Sequence, residues 1–443
     1  MALRLPPTFA ALRHRNYRLF FAGQLVSLVG TWMQSVAQGW LVYQLTGSAL
    51  ALGLVSAAGQ APVLVLALLG GAVADRVAKR PLLLFTQSAL GCFALLLGAL
   101  TALDLVRPWH VALIAALSGV ANAFDLPTRQ AFVTEMVGED DLLNAIALNS
   151  AIFHGARIIG PTVAGLMVAS VGLSACFLVN GASFLAVIAA LVAMRLPPRA
   201  RPPADGSLWR NLVAGVRYAA RTPHVAAILL LVATFGVFGL PYAVLLPVYA
   251  RDILGVGPQG LGMLFAASGT GALAGSLALA TFSRTRRRAL LLLVGLGAFA
   301  VAIGGFGWSQ RFGLALGFLV VSGASAITFM ASCNTLLQTT VPEELRGRMM
   351  GMYSFVFLGL APFGALQAGS VAHAFGAPVA ILVGAVVCVV AVVLVVGFVP
   401  TLRRPQDELA AASAGAAAPA SAGLAAPTRP TATPLPIEPG PQG

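Results

Sequence analysis

The sequence predicts an all-α polytopic membrane protein with twelve transmembrane helices in two pseudo-symmetric bundles of six. Hydrophobic residues make up 58% of the 443-residue chain, charged residues only 9%, and the mean hydropathy is +0.89. A soluble fold of this composition would expose large apolar patches to water. The long apolar runs must form helices, because unpaired backbone groups cannot be placed in lipid.

Twelve apolar runs are each long enough to cross the hydrocarbon layer of a bilayer, which takes roughly 20 residues of helix. Polar and charged residues between the runs mark the turns. The predicted spans cover residues 18–44, 48–74, 81–103, 109–133, 142–170, 174–195, 223–250, 256–283, 289–308, 312–339, 349–376 and 377–399.

The net charge of +13 is distributed over alternate turns and does not form the single basic patch expected of a nucleic-acid-binding protein. Every second turn is basic, whereas the intervening turns hold only Arg107, Arg251 and Arg311. Basic residues collect on the cytoplasmic side of membrane proteins. The pattern predicts a multi-pass protein with both termini cytoplasmic and no nucleic-acid partner. Arg almost completely replaces Lys, which favours a GC-rich bacterium and hence its cytoplasmic (inner) membrane.

The second half of the chain repeats the first. Glycines in and after the predicted fifth helix recur at a constant offset of 204 residues, and Leu52-Gly53 recurs as Leu261-Gly262. Ser118-Gly119 likewise recurs as Ser322-Gly323. Such duplication indicates parallel repeats with a substrate site between them. The matched pairs of the fifth and eleventh helices are Gly155 and Gly359, Gly160 and Gly364, Gly165 and Gly369, and Gly172 and Gly376.

Five segments follow from the boundaries of the predicted spans. The linker between the two bundles, residues 196–222, has apolar and basic residues on different helical faces, which predicts an interfacial amphipathic helix. The tail is rich in Ala, Pro, Gly and Ser, which predicts disorder. The four cysteines lie singly in apolar spans and are expected to be small core residues. The segments are an N-terminal cytoplasmic segment (1–17), the first bundle (18–195), a cytoplasmic linker (196–222), the second bundle (223–399) and a cytoplasmic tail (400–443).

The turn between the second and third helices reads Gly70-Gly-Ala-Val-Ala-Asp75-Arg76-Val-Ala-Lys79-Arg80. It resembles the corresponding loop of major facilitator superfamily transporters, roughly Gly-x-x-x-Asp-Arg-x-Gly-Arg-Arg/Lys, with Ala78 in place of the later Gly. The first Gly of that pattern corresponds to Gly70 or Gly71. The resemblance implies the major facilitator fold and a cytoplasmic gate that contains Gly71, Asp75, Arg76, Lys79 and Arg80.

Two further stretches resemble the drug:proton antiporter branch of this superfamily. The first helix, with Asn16-Tyr17-Arg18 and Trp40-Leu-Val-Tyr43, is similar to that of enterobactin exporters and macrolide efflux proteins. The fifth helix is similar to the antiporter signature, with one extra residue before its final Gly. The resemblance implies that four residues of this helix are conformational, allowing bending and close packing: Gly155, Gly160, Pro161 and Gly165.

Asp125 and Arg129 lie four residues apart near the cytoplasmic end of the fourth predicted helix, so their side chains can form an ion pair. The resemblance implies instead that an acid at this helix end meets the basic turn and latches one conformational state. Asp125 and Arg129 are therefore candidate gating residues. Glu135 is an alternative partner for the turn, and a local ion pair that only caps the helix is the competing interpretation.

The first predicted helix carries polar residues at spacings of three and four, which places them on one face. Because polar groups facing lipid are costly, this face is expected to line a cavity or to bond neighbouring helices. The cavity is the favoured interpretation, and the face makes its residues candidates for substrate binding or coupling. They are Gln24, Thr31, Gln34 (or Ser35) and Gln38.

Arg157 lies about 15 residues into the fifth predicted helix, near the middle of the bilayer, where an unpaired charge is costly. A charge in that position indicates function, and Arg157 is expected to hold an anion or to counter a carboxylate. His154 and Asp125 are the candidates for carrying a proton. By resemblance the tenth helix also borders the cavity, which adds Asn334 to the candidates.

The sequence contains no HExxH, GxSxG or GxxxxGK pattern, so it does not support zinc hydrolysis, serine hydrolysis or ATP-driven transport. No cofactor or metal is expected, and a polytopic membrane enzyme is only a remote alternative.

The prediction is a secondary transporter that exports small drug- or siderophore-like amphipathic molecules by alternating access with proton antiport. A transporter of lysophospholipid or another lipid is the alternative. The expected partners are the small substrate, membrane lipids and protons, and the protein is expected to be a monomer.

Overall fold

Twelve helices dominate the computed structural model, which describes residues 7–138, 140–195, 216–281 and 288–400. Within these ranges every predicted span is present, so the predicted fold class is confirmed. A short 3₁₀ helix, Pro7–Arg13, precedes the first span. The spans are α1 (Arg15–Thr46), α2 (Ala49–Arg76), α3 (Lys79–Ala102), α4 (Pro108–Val137), α5 (Leu142–Ser170), α6 (Leu173–Ala193), α7 (Pro223–Ile253), α8 (Gly257–Thr281), α9 (Arg288–Trp308), α10 (Phe312–Thr340), α11 (Glu343–Phe375) and α12 (Ala377–Phe398).

Two of the helices are not continuous α-helices, a detail that the hydrophobic lengths did not indicate. Helix α7 contains two π-helical turns, Phe235–Gly239 and Tyr249–Ile253, on either side of the α-helical segment Tyr242–Val248. Helix α11 is interrupted at Leu360, just before Pro362. Proline lacks a backbone N–H and crowds the preceding turn, which accounts for the interruption.

The helices form two halves, α1–α6 and α7–α12, that meet mainly through two pairs, α2 with α11 and α5 with α8. The two pairs correspond to each other in the internal repeat, since α2 matches α8 and α5 matches α11. We call the end of the bundle that holds Arg15, Arg76 and Arg80 the basic end. The other end, where α1 turns into α2 at Gly47, is the far end.

Repeated glycines lie where the two halves cross. A Cβ atom added to Gly53 of α2 would lie 2.6 Å from the Ala365 carbonyl oxygen, next to Gly369 of α11. A Cβ atom added to Gly262 of α8 would lie 2.5 Å from the Pro161 carbonyl oxygen, next to Gly165 of α5. Small residues let membrane helices approach until their backbones touch. Both crossings lie toward the far end, which they close.

A second pair of repeated glycines supports each half internally. A Cβ atom on Gly119 of α4 would lie 2.2 Å from the Gly59 carbonyl oxygen in α2, and one on Gly323 of α10 would lie 1.9 Å from that of Ser268 in α8. Larger side chains at these positions would separate helices inside one half. The repeat seen in the sequence is therefore a repeat of close helix packing.

Several expectations fall partly or wholly outside the described residues. The proposed amphipathic helix of the linker lies mostly in 196–215, the second basic turn in 282–287 and the tail in 401–443, all outside the described ranges. Residues 216–221 are helical. Among the cysteines, Cys176, Cys333 and Cys388 are buried, but Cys92 is exposed on the surface of the bundle, so the expectation of a core position was wrong for it.

Gly323→Val should destabilise the protein by about 1–3 kcal/mol, because overpacking a tight helix crossing forces the two backbones apart. Gly317→Val is the matched control, since Gly317 lies in the same helix with no atom within 4 Å of an added Cβ. Thermal unfolding of the purified protein in detergent is the measurement. Equal melting temperatures for the two variants would contradict the importance of this crossing.

Candidate functional site

A cavity of about 1080 Å³ lies between the two halves, mostly against the first. Its lining extends from Val42 and Leu52, near the far end, to Arg129 and Thr134 toward the basic end. The glycine crossings lie at the far end, and the lining includes the exposed residues Ile146 and Ser150 of the first turns of α5, so the cavity reaches the surface toward the basic end. The second half contributes four lining residues from α7 and α8: Ala243, Val244, Pro247 and Phe265.

The polar face of α1 lies on this cavity, where the helical spacing placed it. Gln24, Thr31, Gln34 and Gln38 all line the cavity. Two of these residues also form hydrogen bonds to neighbouring helices, which was the alternative interpretation of the polar face. The Gln24 side-chain oxygen accepts a hydrogen bond from Arg129 Nη1 at 3.1 Å, and that of Gln34 accepts one from Asn180 Nδ2 at 2.6 Å. The same residues thus face the cavity and join α1 to α4 and α6.

Asp125 is fully buried, with an exposed fraction of 0%, and its carboxylate is surrounded by donors. Thr86 Oγ1 and Gln87 Nε2 of α3 each donate to Asp125 Oδ1 at 2.8 Å, and Arg129 forms an ion pair with Oδ2. Arg129 in turn donates to Gln24. A buried carboxylate is stable only with such partners. In this state Asp125 takes part in the local pair, which the sequence left as an alternative, and joins α1, α3 and α4.

The basic turn meets a different acid. Lys79 forms an ion pair with Glu135 of α4, the partner that the sequence left as an alternative to Asp125. Arg80 Nη2 donates to the Val192 carbonyl oxygen of α6 at 2.8 Å. The side chains of Asp75 and Arg76 are exposed. The turn is therefore attached to its own half through Lys79 and Arg80.

The two glycines before this turn differ in their surroundings. A Cβ atom on Gly70 would lie 2.0 Å from the Ala123 carbonyl oxygen of α4, whereas one on Gly71 would meet no atom within 4 Å. Close approach of α2 and α4 thus requires glycine at position 70. In this state Gly71, the position assigned to the gate, has open space around it.

A polar contact joins the two halves at the far end and was missed by sequence reasoning. Tyr43 Oη of α1 donates a hydrogen bond to Asp252 at the end of α7. Arg251 Nη1 donates to the Tyr43 carbonyl oxygen at 3.3 Å, and its guanidinium carbon lies 5.6 Å from the centre of the Tyr43 ring. We call Tyr43, Arg251 and Asp252 the far-end latch. An acid and a base at the end of the seventh apolar run were the available signal.

Aromatic and cationic side chains meet where α1 and α5 face each other, and we call Trp32, Phe153, His154 and Arg157 the Trp32 cluster. The Trp32 and Phe153 rings lie edge to face at 5.6 Å, and Phe153 and His154 at 5.7 Å. The Arg157 guanidinium lies 5.8 Å from the centre of the Trp32 ring. Trp32, Phe153 and His154 line the cavity, and half-buried Arg157 lies beside them.

The remaining candidates are distributed elsewhere. Asn334 of α10 accepts a hydrogen bond from Gln338 Nε2 at 2.6 Å and is not among the lining residues, so the structure does not bring it to the α1 face. Gly160 packs against Trp32 and Val29 of α1, whereas an added Cβ atom on Gly155 would meet open space. Of the four fifth-helix residues expected to be conformational, Gly160, Pro161 and Gly165 lie at helix crossings.

Comparison with known proteins identifies the family. The family described as "Transmembrane secretion effector" matches residues 7–425. The multidrug efflux pump Tap of Mycolicibacterium fortuitum is 30% identical over 371 residues, which cover 81% of this chain and 89% of Tap. The enterobactin exporter EntS of Shigella boydii serotype 18 (strain CDC 3083-94 / BS512) is 28% identical over 350 residues, covering 77% of this chain and 81% of EntS.

Among solved structures, the nucleoside transporter NupG superimposes with a TM-score of 0.69 at 14% identity, over 88% of this chain and 98% of NupG. Identity at that level supports the fold alone, which is that of the major facilitator superfamily. The sequence relatives and the family match show the family and the kind of protein as well as the fold. This chain belongs to the transmembrane secretion effector family of the major facilitator superfamily and is a multi-pass efflux-type transporter, not an enzyme.

Proposed function

We propose that this protein exports small amphipathic molecules, drug-like or siderophore-like, across the cytoplasmic membrane by alternating access coupled to proton antiport. The observation that carries the proposal is the cavity of about 1080 Å³, closed at the far end and reaching the basic end. Its lining is mostly apolar with scattered amides and aromatic rings, which suits bulky amphipathic molecules. The two named relatives are an efflux pump of drugs and an exporter of a siderophore.

The charge distribution orients the cavity, while the export direction is supported by the two named relatives, an efflux pump and an exporter. By the positive-inside rule the basic end faces the cytoplasm, with both termini on that side. The cavity then opens inward, as an exporter requires for loading from the cytoplasm. The substrate would enter between Arg129 and Thr134 of α4 and the first turns of α5.

Alternating access is supported by how the halves are joined. The glycine crossings and the far-end latch form contacts between the halves at the far end. Rocking of one half against the other would separate these contacts and bring the basic-end segments together. Asp75 and Arg76 are exposed at the basic end, free to serve in the second state as the gate that the sequence motif implies.

Proton coupling is assigned to Asp125. It is a buried carboxylate whose pairing with Arg129 is linked, through Gln24, to the cavity wall. Protonation would release Arg129 and loosen the connection among α1, α3 and α4. Ionisable groups inside membrane spans commonly form such proton relays. His154 lines the cavity and is the second candidate carrier.

Transport is tested in proteoliposomes that contain the full chain, with and without an imposed pH gradient. An uncharged drug-like aromatic molecule and a catecholate siderophore should be transported, and the pH gradient should accelerate both. A lysophospholipid should not be moved. Movement of the lysophospholipid alone would contradict the proposal and favour the lipid transporter.

Asp125→Asn should abolish acceleration by the pH gradient while leaving substrate exchange between the two sides of the membrane, because exchange needs no net proton movement. Glu135→Gln is the matched control, since it removes a carboxylate of the same helix that pairs only with the basic turn. Both are assayed for gradient-driven uptake and for exchange. Full gradient-driven transport by Asp125→Asn would remove Asp125 from the coupling role.

Tyr43→Phe should open the far end more often, because it removes the hydroxyl that joins α1 to Asp252. The readout is the labelling rate of Val42→Cys, introduced into a cysteine-free background, by a membrane-impermeant maleimide added on the far side. Tyr249→Phe is the matched control, since the Tyr249 hydroxyl donates to the Gly307 carbonyl oxygen within the second half at 2.9 Å. Equal labelling in the two variants would show that the latch does not hold the halves together.

A further inference from the structure

We infer that the cavity accepts neutral and anionic aromatic molecules and excludes lipophilic cations, with the Trp32 cluster as the subsite for an aromatic ring that bears an acidic oxygen. This inference rests on the proposed export function and specifies its substrate class. Benzoates, phenolates and catecholates are the chemical groups meant.

The charge of the cavity wall distinguishes anions from cations. Among the described residues that line the cavity, the ionisable side chains are Arg129 and His154, and none is an aspartate or a glutamate. Asp125, the nearby carboxylate, is fully buried and bonded to Thr86, Gln87 and Arg129. The charge of Asp125 is therefore neutralised by Arg129, and Asp125 presents no negative charge to the cavity.

A cation that enters such a cavity loses its water without gaining a carboxylate. A buried charge is tolerated only when it is paired, and the face of Trp32, the ring type that attracts a cation best, already lies against Arg157. The amide oxygens of the α1 face supply dipoles but no charge. Entry of a neutral aromatic molecule avoids this cost, and an anion would be attracted by Arg157, which is not itself a lining residue but lies against the lining residue Trp32.

The two guanidinium groups near the cavity, those of Arg129 and Arg157, differ in whether they are already paired with an anion. Arg129 is neutralised by Asp125 and also bonded to Gln24. Arg157 takes part in none of the ion pairs among the described residues, and its guanidinium carbon lies 5.8 Å from the centre of the Trp32 ring. Arg157 therefore supplies the uncompensated positive charge beside the cavity.

The geometry of the cluster fits a ring with an acidic group. Arg157 lies three residues from His154 and four from Phe153, so the three side chains share one face of α5. Phe153 is 44% exposed and lines the cavity, edge-on to Trp32. Exposed aromatic faces stack on a planar ring, and a guanidinium binds a carboxylate or phenolate through charge-assisted hydrogen bonds.

The test compares three fluorescent aromatic probes of similar size in proteoliposomes: an anionic aromatic carboxylate, an uncharged dye and a cationic dye such as ethidium. The anionic and uncharged probes should be transported and the cationic probe should not. Transport of the cation as fast as the anion would overturn this inference and leave the export function standing. Transport of none of the three, and of none of the substrates above, would overturn both.

Arg157→Gln should raise the anion concentration needed for half-maximal transport roughly tenfold or more, the loss of one charge-assisted hydrogen bond, and leave the uncharged probe unaffected. Arg157→Lys should restore part of the loss. Arg311→Gln, at an exposed far-end turn, is the control. Equal impairment of both probes by Arg157→Gln would assign Arg157 a structural role and overturn the subsite.

A gain-of-function variant tests the other half of the inference. Gln38→Glu places a carboxylate on the cavity wall without a large change of shape. It should allow ethidium to be transported and slow the anionic probe. Continued exclusion of ethidium by a folded variant that still transports the uncharged probe would contradict selection by wall charge.

Discussion

Close contact between helix backbones at two glycine pairs, Gly53 with Gly369 and Gly165 with Gly262, is the constraint on which the rest of this structure depends. Lipid gives apolar helices no hydrophobic reason to associate, so the halves are held by packing that only small residues permit. Since both pairs lie toward the far end, the halves are held together there and separate toward the basic end. The cavity is the space that this separation leaves.

Much of the fold was predictable from the sequence, because hydrophobic length and charge alternation report directly on membrane spans. The position of Gln24, Thr31, Gln34 and Gln38 on the cavity was predictable for a similar reason, since helical spacing fixes a common face. Family membership was confirmed by the sequence relatives. The functional roles of these residues stay predictions.

The partners of the charged residues were not predictable in the same way. Spacing allowed Asp125 to pair with Arg129 or with the basic turn, and Lys79 to pair with either acid of α4. The rotation of α3 and α4 about their axes determines that Asp125 pairs with Arg129 and that Lys79 pairs with Glu135. The latch between Tyr43 and Asp252 joins residues more than 200 positions apart, which no local pattern indicates.

The interruptions of α7 determine which of its side chains reach the cavity. Three of the four cavity residues from the second half, Ala243, Val244 and Pro247, lie within the short segment Tyr242–Val248. A π-helical turn lies on each side of this segment, and each such turn adds a residue to the α-helical repeat. The added residues rotate the segment relative to the rest of the helix. The wall opposite the polar face of α1 therefore depends on two local departures from α-helical geometry, and removal of either one would turn different side chains of α7 toward the substrate.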